Sequence, residues 1–215
     1  MIGDVRDSTK LRLTKFRILG PVMVHEVYIP IAFILAILFA NYAMTLVPNI
    51  KFFDLIVLVA GYTLGLRRGV TVAMGAWLIY GTFNPWGVAG PFLLVVLMMS
   101  ETVYALAGAG LRRVVSPEQL RLTSLLHSLL FAAAAVACTI TYDVLTNIYT
   151  GVVWAQVSGS VEYARWIITA LFNPAALIFY AMHVGSNIFF FAFLGPAIAK
   201  GIWKGNAALR CWLQD

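Results

Sequence analysis

Residues Ile31 to Met44 read Ile-Ala-Phe-Ile-Leu-Ala-Ile-Leu-Phe-Ala-Asn-Tyr-Ala-Met, and the stretch is apolar on nearly every face of any regular structure it adopts. A barrel strand that faces lipid alternates apolar and polar residues over roughly ten positions, which this run does not. A helix exposed to water carries one apolar stripe, not a full circumference. The run therefore predicts a helix in hydrocarbon, and the rest of the chain agrees with it. Of the 215 residues, 61% are hydrophobic and 11% charged, and the mean hydropathy is +0.88. Charges gather in short runs between long apolar stretches, the pattern of segments that each cross a lipid layer. An ordinary soluble enzyme is excluded.

The expected fold class is all-α integral membrane, a six-transmembrane-helix bundle with N and C termini cytoplasmic. Span 1 is read as Tyr28 to Val47, span 2 as Asp54 to Leu66, span 3 as Gly69 to Thr82, span 4 as Pro91 to Leu111, span 5 as Leu122 to Tyr149 and span 6 as Pro174 to Ile198. Spans 2 and 3 fall short of the roughly twenty residues that cross a bilayer, so the alternative is one long helix broken at Arg67-Arg68-Gly69. Charge decides between them. With six spans, thirteen of the fifteen Lys and Arg residues lie inside, from Arg6 through Arg210, and only Lys51 and Arg165 lie outside. Merging spans 2 and 3 would flip every later segment and destroy that bias. Trp86, Tyr149, Trp154, Tyr163 and Trp166 then collect at the outer ends, and Trp203 and Trp212 at the inner one.

One membrane domain, residues 1–215, is expected, with a basic cytoplasmic segment at 1–27, the spans at 28–199 and a cytoplasmic tail at 200–215. The basic start lacks the short apolar core of a signal peptide. Cys138 and Cys211 fall in different surroundings, so no disulfide is expected. The net charge of +6 sits beside the spans, where it sets topology and meets anionic lipid heads, so nucleic acid is not an expected partner. Phe83-Asn84-Pro85 is echoed by Phe172-Asn173-Pro174. Helix capping by Asn followed by Pro in the first turn accounts for the echo without an internal duplication.

Polar groups at membrane depth are costly and usually face a cavity or a partner. Asp143 and Asn147 share one face of span 5, and His183 and Asn187 share one face of span 6. The topology places both pairs in the outer half. Glu101 and Tyr104 on span 4 lie near the middle, with Asn84, Trp86, Trp154 and Trp166 in loops above. A substrate pocket built from these residues would have aromatic walls, carboxylates, a histidine and amides. Asp54, at a span terminus beside Lys51, is read as a cap. The tract from Thr150 to Asn173 is read as a long connection that either covers the pocket or rests on lipid. No metal-binding spacing joins His25, His127 and His183, and Ser100, Ser124, Ser128 and Ser186 have no nucleophile motif around them. No catalytic residue, metal or cofactor is expected. Ala32, Ala36 and Ala40 form a column of small side chains on span 1, suited to close helix packing, either within this chain or against a partner.

Six spans in about two hundred residues, the alanine column, Tyr80-Gly-Thr-Phe-Asn-Pro-Trp-Gly87, and His183-Val-Gly-Ser-Asn187 followed by Gly195-Pro196 resemble the substrate-binding S components of energy-coupling factor (ECF) transporters. The resemblance implies a non-catalytic protein of a prokaryotic plasma membrane that binds a vitamin or related micronutrient from outside. Its expected partners are a transmembrane coupling protein and two cytoplasmic ATPases, with Ala32, Ala36 and Ala40 as the docking face. Cobalt and nickel members begin Met-His, whereas this chain begins Met1-Ile2-Gly3, which disfavours a metal cargo. Glu101, Tyr104, His183, Asn187 and the outer tryptophans are similar in type to sites for cationic heteroaromatics such as thiamine.

Overall fold

A computed structural model describes residues 24–47 and 50–205 of the chain. The basic segment before Val24 and most of the tail after Lys204, with Cys211 and Trp212, lie outside the described residues. Every element among the described residues is helical. A single π turn, Val24–Tyr28, leads into α1 (Ile29–Ala43). There follow α2 (Phe53–Leu64), α3 (Leu66–Thr82), α4 (Pro91–Val114), α5 (Leu125–Val157), α6 (Tyr163–Phe172), α7 (Pro174–Phe193) and α8 (Gly195–Gly205). Four helical stretches, Glu26–Ala43, Pro91–Val114, Leu125–Val157 and Pro174–Phe193, are long and apolar enough to cross a membrane. The exterior suits lipid: Phe39, Phe92 and Phe193 are 78%, 81% and 69% exposed, an arrangement that water would penalise.

The chain reverses at Gly65, the only residue between α2 and α3. Its φ of 87° and ψ of 169° lie in a region that is essentially open to glycine alone. The two helices form an antiparallel hairpin, because Phe53 at the start of α2 stacks against Trp77 near the end of α3 at 5.0 Å between ring centroids. One long helix through Arg67-Arg68-Gly69 is thereby ruled out. Arg68 folds back onto the Leu64 carbonyl at 3.0 Å and pairs with Glu26 at 2.5 Å, which fixes the basic turn against the start of α1.

α2 is the centre of the bundle. All of its residues except Ile56 are buried, so its short apolar sequence reflects enclosure by other helices on every side. Its largest interface is with α4. Gly61 and Gly108 make that interface possible, since a Cβ at Gly61 would strike the Ala105 carbonyl and one at Gly108 the Leu58 carbonyl. Close backbone approach of this kind is how helices associate where no hydrophobic force drives them together. At the Gly65 end, the Tyr62 hydroxyl donates to the Val115 carbonyl at 2.8 Å, and Lys200 donates to the Leu120 carbonyl.

Two sequence expectations change on the other side of the bundle. Span 5 does not end at Tyr149: α5 continues to Val157 and, at 33 residues, measures about 50 Å. The tract from Thr150 to Asn173 is consequently not a loop. It holds the last turns of α5, a short bend at Ser158 to Glu162, and α6, which packs back along α5 where Gly151 leaves room for the Ile167 backbone. Glycine and serine suggested a loop there, yet at Gly151 the small residue serves helix contact. The two Asn-Pro echoes also differ. Asn173 caps α7 by accepting the Ala176 N–H at 2.9 Å, whereas Asn84 accepts the Trp86 N–H in a turn well before α4 begins.

Candidate functional site

Asp54, Thr139, Asp143 and Asn187, all buried, gather around His183 in the middle of α7. Its Nε2 lies 2.7 Å from Asp54 Oδ2 and its Nδ1 lies 2.9 Å from Asp143 Oδ1. One turn further on, Asn187 donates through Nδ2 to Asp54 Oδ2 at 2.6 Å and to Thr139 Oγ1 at 2.9 Å. The Tyr104 hydroxyl donates to the same Thr139 hydroxyl at 3.0 Å. Glu101, fully buried on α4, accepts the Trp77 indole N–H through Oε2 at 3.0 Å. Four helices thus contribute to one hydrogen-bonded network, α2 (Asp54), α4 (Tyr104), α5 (Thr139, Asp143) and α7 (His183, Asn187), and the Trp77–Glu101 pair of α3 and α4 stands beside it.

Local sequence explains how each side chain arrives there. Asp54 and Phe53 occupy the first turn of the enclosed helix α2, so neither can turn toward lipid. Asn187 meets both Asp54 and Tyr104, the latter at 3.4 Å, which sets the first turn of α2 at the depth of the middle of α4. His183 and Asn187 are one turn apart on α7, as are Thr139 and Asp143 on α5, so the two helices present matching pairs.

A cavity of about 170 Å³ lies over the network on the side away from Gly65, lined by Lys51, Phe53, Asp54, Trp77, Tyr142 and His183. Trp77 and Tyr142 form nearly parallel walls, 20° between planes and 6.5 Å between centroids. Tyr142 also meets the His183 ring edge-on at 5.8 Å. Lys51 stands at the mouth, donating to the Tyr80 hydroxyl at 3.4 Å with its ammonium 5.1 Å from the Tyr80 ring centroid. Three buried acceptor atoms around the network have no hydrogen-bond partner: Glu101 Oε1, Asp143 Oδ2 and Asn187 Oδ1. Unpaired acceptors at this depth are costly, and together they favour a cation or an N–H donor.

Of the ten pocket residues expected from sequence, Glu101, Tyr104, Asp143, His183 and Asn187 are gathered here. Asn147 stands one turn away, donating to the Asp143 backbone carbonyl at 2.9 Å. The remaining four lie elsewhere. Trp86 is 70% exposed in the α3–α4 loop, held in its turn by Asn84. Trp154 and Trp166 line a shallow surface hollow between α5 and α6, where the lengthened α5 has carried them past the network. The aromatic walls come instead from Trp77, Tyr142 and Phe53.

Sequence reasoning missed Asp54, Trp77, Thr139 and Tyr142. Asp54 is not a cap: it makes no capping hydrogen bond, and Lys51 turns to Tyr80. The available signal was an acid directly before an uninterrupted apolar run, since a carboxylate beside a helix apolar on all faces is buried whichever way it points. Trp77 and Tyr80, one turn apart on α3, carried a weaker signal of the same kind.

The alanine column does not pack inside the bundle. Ala32 and Ala36 are exposed and Ala40 half-buried, while the buried face of α1 is Pro30, Phe33, Ile37 and Asn41. Ala32 and Ala36 line an open apolar groove of about 470 Å³, closed on its far side by Ile56 and Val59 of α2 and Ile198 and Ile202 of α8. Among the described residues, no three His, Cys, Asp or Glu side chains are grouped so as to hold a metal ion. Comparison of the chain with protein-family models, with curated proteins and with solved structures finds no match.

Proposed function

We propose that this chain is the substrate-binding S component of an ECF-type importer in a prokaryotic plasma membrane, binding a cationic, heteroaromatic micronutrient of the thiamine kind. In this reading all six segments cross the bilayer, both termini face the cytoplasm and the cavity opens outward. The observation that carries it is the polar network beneath a cavity with aromatic walls, in which three buried acceptor oxygens lack partners. Those oxygens lie behind the cavity wall and make its surroundings electronegative, so a ligand that brings positive charge is favoured beside Asp54, with its flat ring against Trp77 and Tyr142. The groove beside Ala32 and Ala36 is the docking face for the transmembrane coupling protein, and two cytoplasmic ATPases supply the energy. The chain itself catalyses nothing.

The cavity is smaller than the roughly 300–1,000 Å³ of ordinary ligand pockets, so Lys51 and the aromatic walls must part as a ligand enters. That same observation supports the second reading, a structural or assembly subunit of another membrane complex whose network only locks its helices. Native mass spectrometry of gently purified protein separates the two. A retained small molecule supports the S component. Its persistent absence, with no thermal shift on adding thiamine or related cations, supports the structural subunit. Replacing Ala32 and Ala36 by Phe is expected to leave binding intact and abolish uptake.

A further inference from the structure

Each ring nitrogen of His183 faces a carboxyl oxygen, Nε2 toward Asp54 at 2.7 Å and Nδ1 toward Asp143 at 2.9 Å. Each contact requires one hydrogen, because two lone pairs held at such a distance repel. A neutral imidazole carries one N–H, and two ionised carboxylates carry none. The geometry therefore needs one proton more than a neutral histidine between two carboxylates possesses. Asp54 Oδ2 also receives the Asn187 N–H at 2.6 Å. That contact strengthens when the oxygen is ionised, which favours the additional proton on the ring.

We propose that Asp54, His183 and Asp143 form a proton-binding site, an imidazolium held between two carboxylates from α2, α5 and α7. The proton comes from solvent through the cavity, where Asp54 and His183 form part of the wall. The other ionisable groups around the site are Lys51 at the mouth, Glu101 and Tyr104 from α4, Cys138 and Tyr142 from α5, and Tyr180 from α7. Lys51 is engaged with Tyr80 and not with Asp54, so the imidazolium is the cation that faces both aspartates. The site ties the central helix to the two helices opposite it. This inference does not rest on the transport reading, and a structural subunit would hold the same proton.

Nitrogen NMR of purified protein labelled with ¹⁵N-histidine and ¹³C-aspartate, near neutral pH, tests the proposal. Signals of His25 and His127 are assigned with H25Q and H127Q. Both His183 nitrogens are expected to show a directly bonded proton, with the Asp54 and Asp143 carboxyl carbons ionised. In the D54N/D143N double variant, which keeps the side-chain shapes, one ring nitrogen is expected to lose its proton. A bare ring nitrogen beside one protonated aspartic acid would overturn the imidazolium, because the shared proton would then sit on the carboxyl. A bare ring nitrogen beside two ionised aspartates would overturn the proposal, as would an unchanged imidazolium in the double variant.

Discussion

Replacing His183 by alanine removes the contacts to Asp54 and Asp143 together and leaves two buried carboxylates without their shared partner. Two sizes of effect are possible, and they separate. Ordinary hydrogen bonds between helices in a membrane average about 0.6 kcal/mol, so two of them would account for about 1.2 kcal/mol. Breaking a buried ion pair by deleting one member costs about 3–5 kcal/mol, because the remaining charge stays buried. For a chain of this size each kcal/mol moves the midpoint of thermal unfolding by about 2–4 °C. An ordinary pair of bonds thus predicts a loss of about 2–5 °C, and a charged triad a loss of about 6–20 °C. Cys138, buried at 3% exposure and free, is a built-in reporter. A thiol-reactive fluorophore in a C211S background will label it as the bundle opens. The charged triad predicts the larger loss, and partial recovery in H183A/D143N, where one orphaned charge is gone. A loss below about 5 °C with no recovery would refute the argument and mark the network as ordinary interhelical bonding.

The α2–α4 contact predicts that G108A, whose methyl would strike the Leu58 carbonyl, destabilises by about 1–3 kcal/mol, while G110A, with open space around it, leaves the midpoint unchanged in the same assay. G65A forces a side chain into glycine-only backbone space and is expected to lose about 1–3 kcal/mol, seen as a lower unfolding midpoint. E101Q retains an acceptor for the Trp77 indole N–H and removes the negative charge. It is expected to hold the unfolding midpoint within a few degrees and, if the proposed S-component function holds, to weaken binding of a thiamine-like cation at least about tenfold, measured by titration calorimetry.

How much of the site could be read in advance depended on the helix that bears each residue. Asp143, His183 and Asn187 were legible because a polar residue inside a long apolar helix has few places to point other than the bundle interior. Helical spacing then gave them a shared face. Trp154 and Trp166 were misplaced because aromatic residues suit both a pocket wall and a lipid interface, and only the continuation of α5 to Val157 decided between them. The order of the tertiary contacts could not be read at all: nothing in residues 53–64 says that this segment, rather than a longer one, takes the centre.

The sequence alone determined that the chain is helical and built for lipid, because apolarity on every face is a local property. It also determined that the chain turns back near Arg67, since charge placement along the chain is local too. Only the tertiary structure decided that α2 is enclosed, that Asp54 reaches His183 across 129 residues of chain, and that Ala32 and Ala36 face an open groove. Those outcomes depend on which helices meet. That choice is made by backbone contact at Gly61, Gly108 and Gly151, where the missing side chain permits approach without naming the partner.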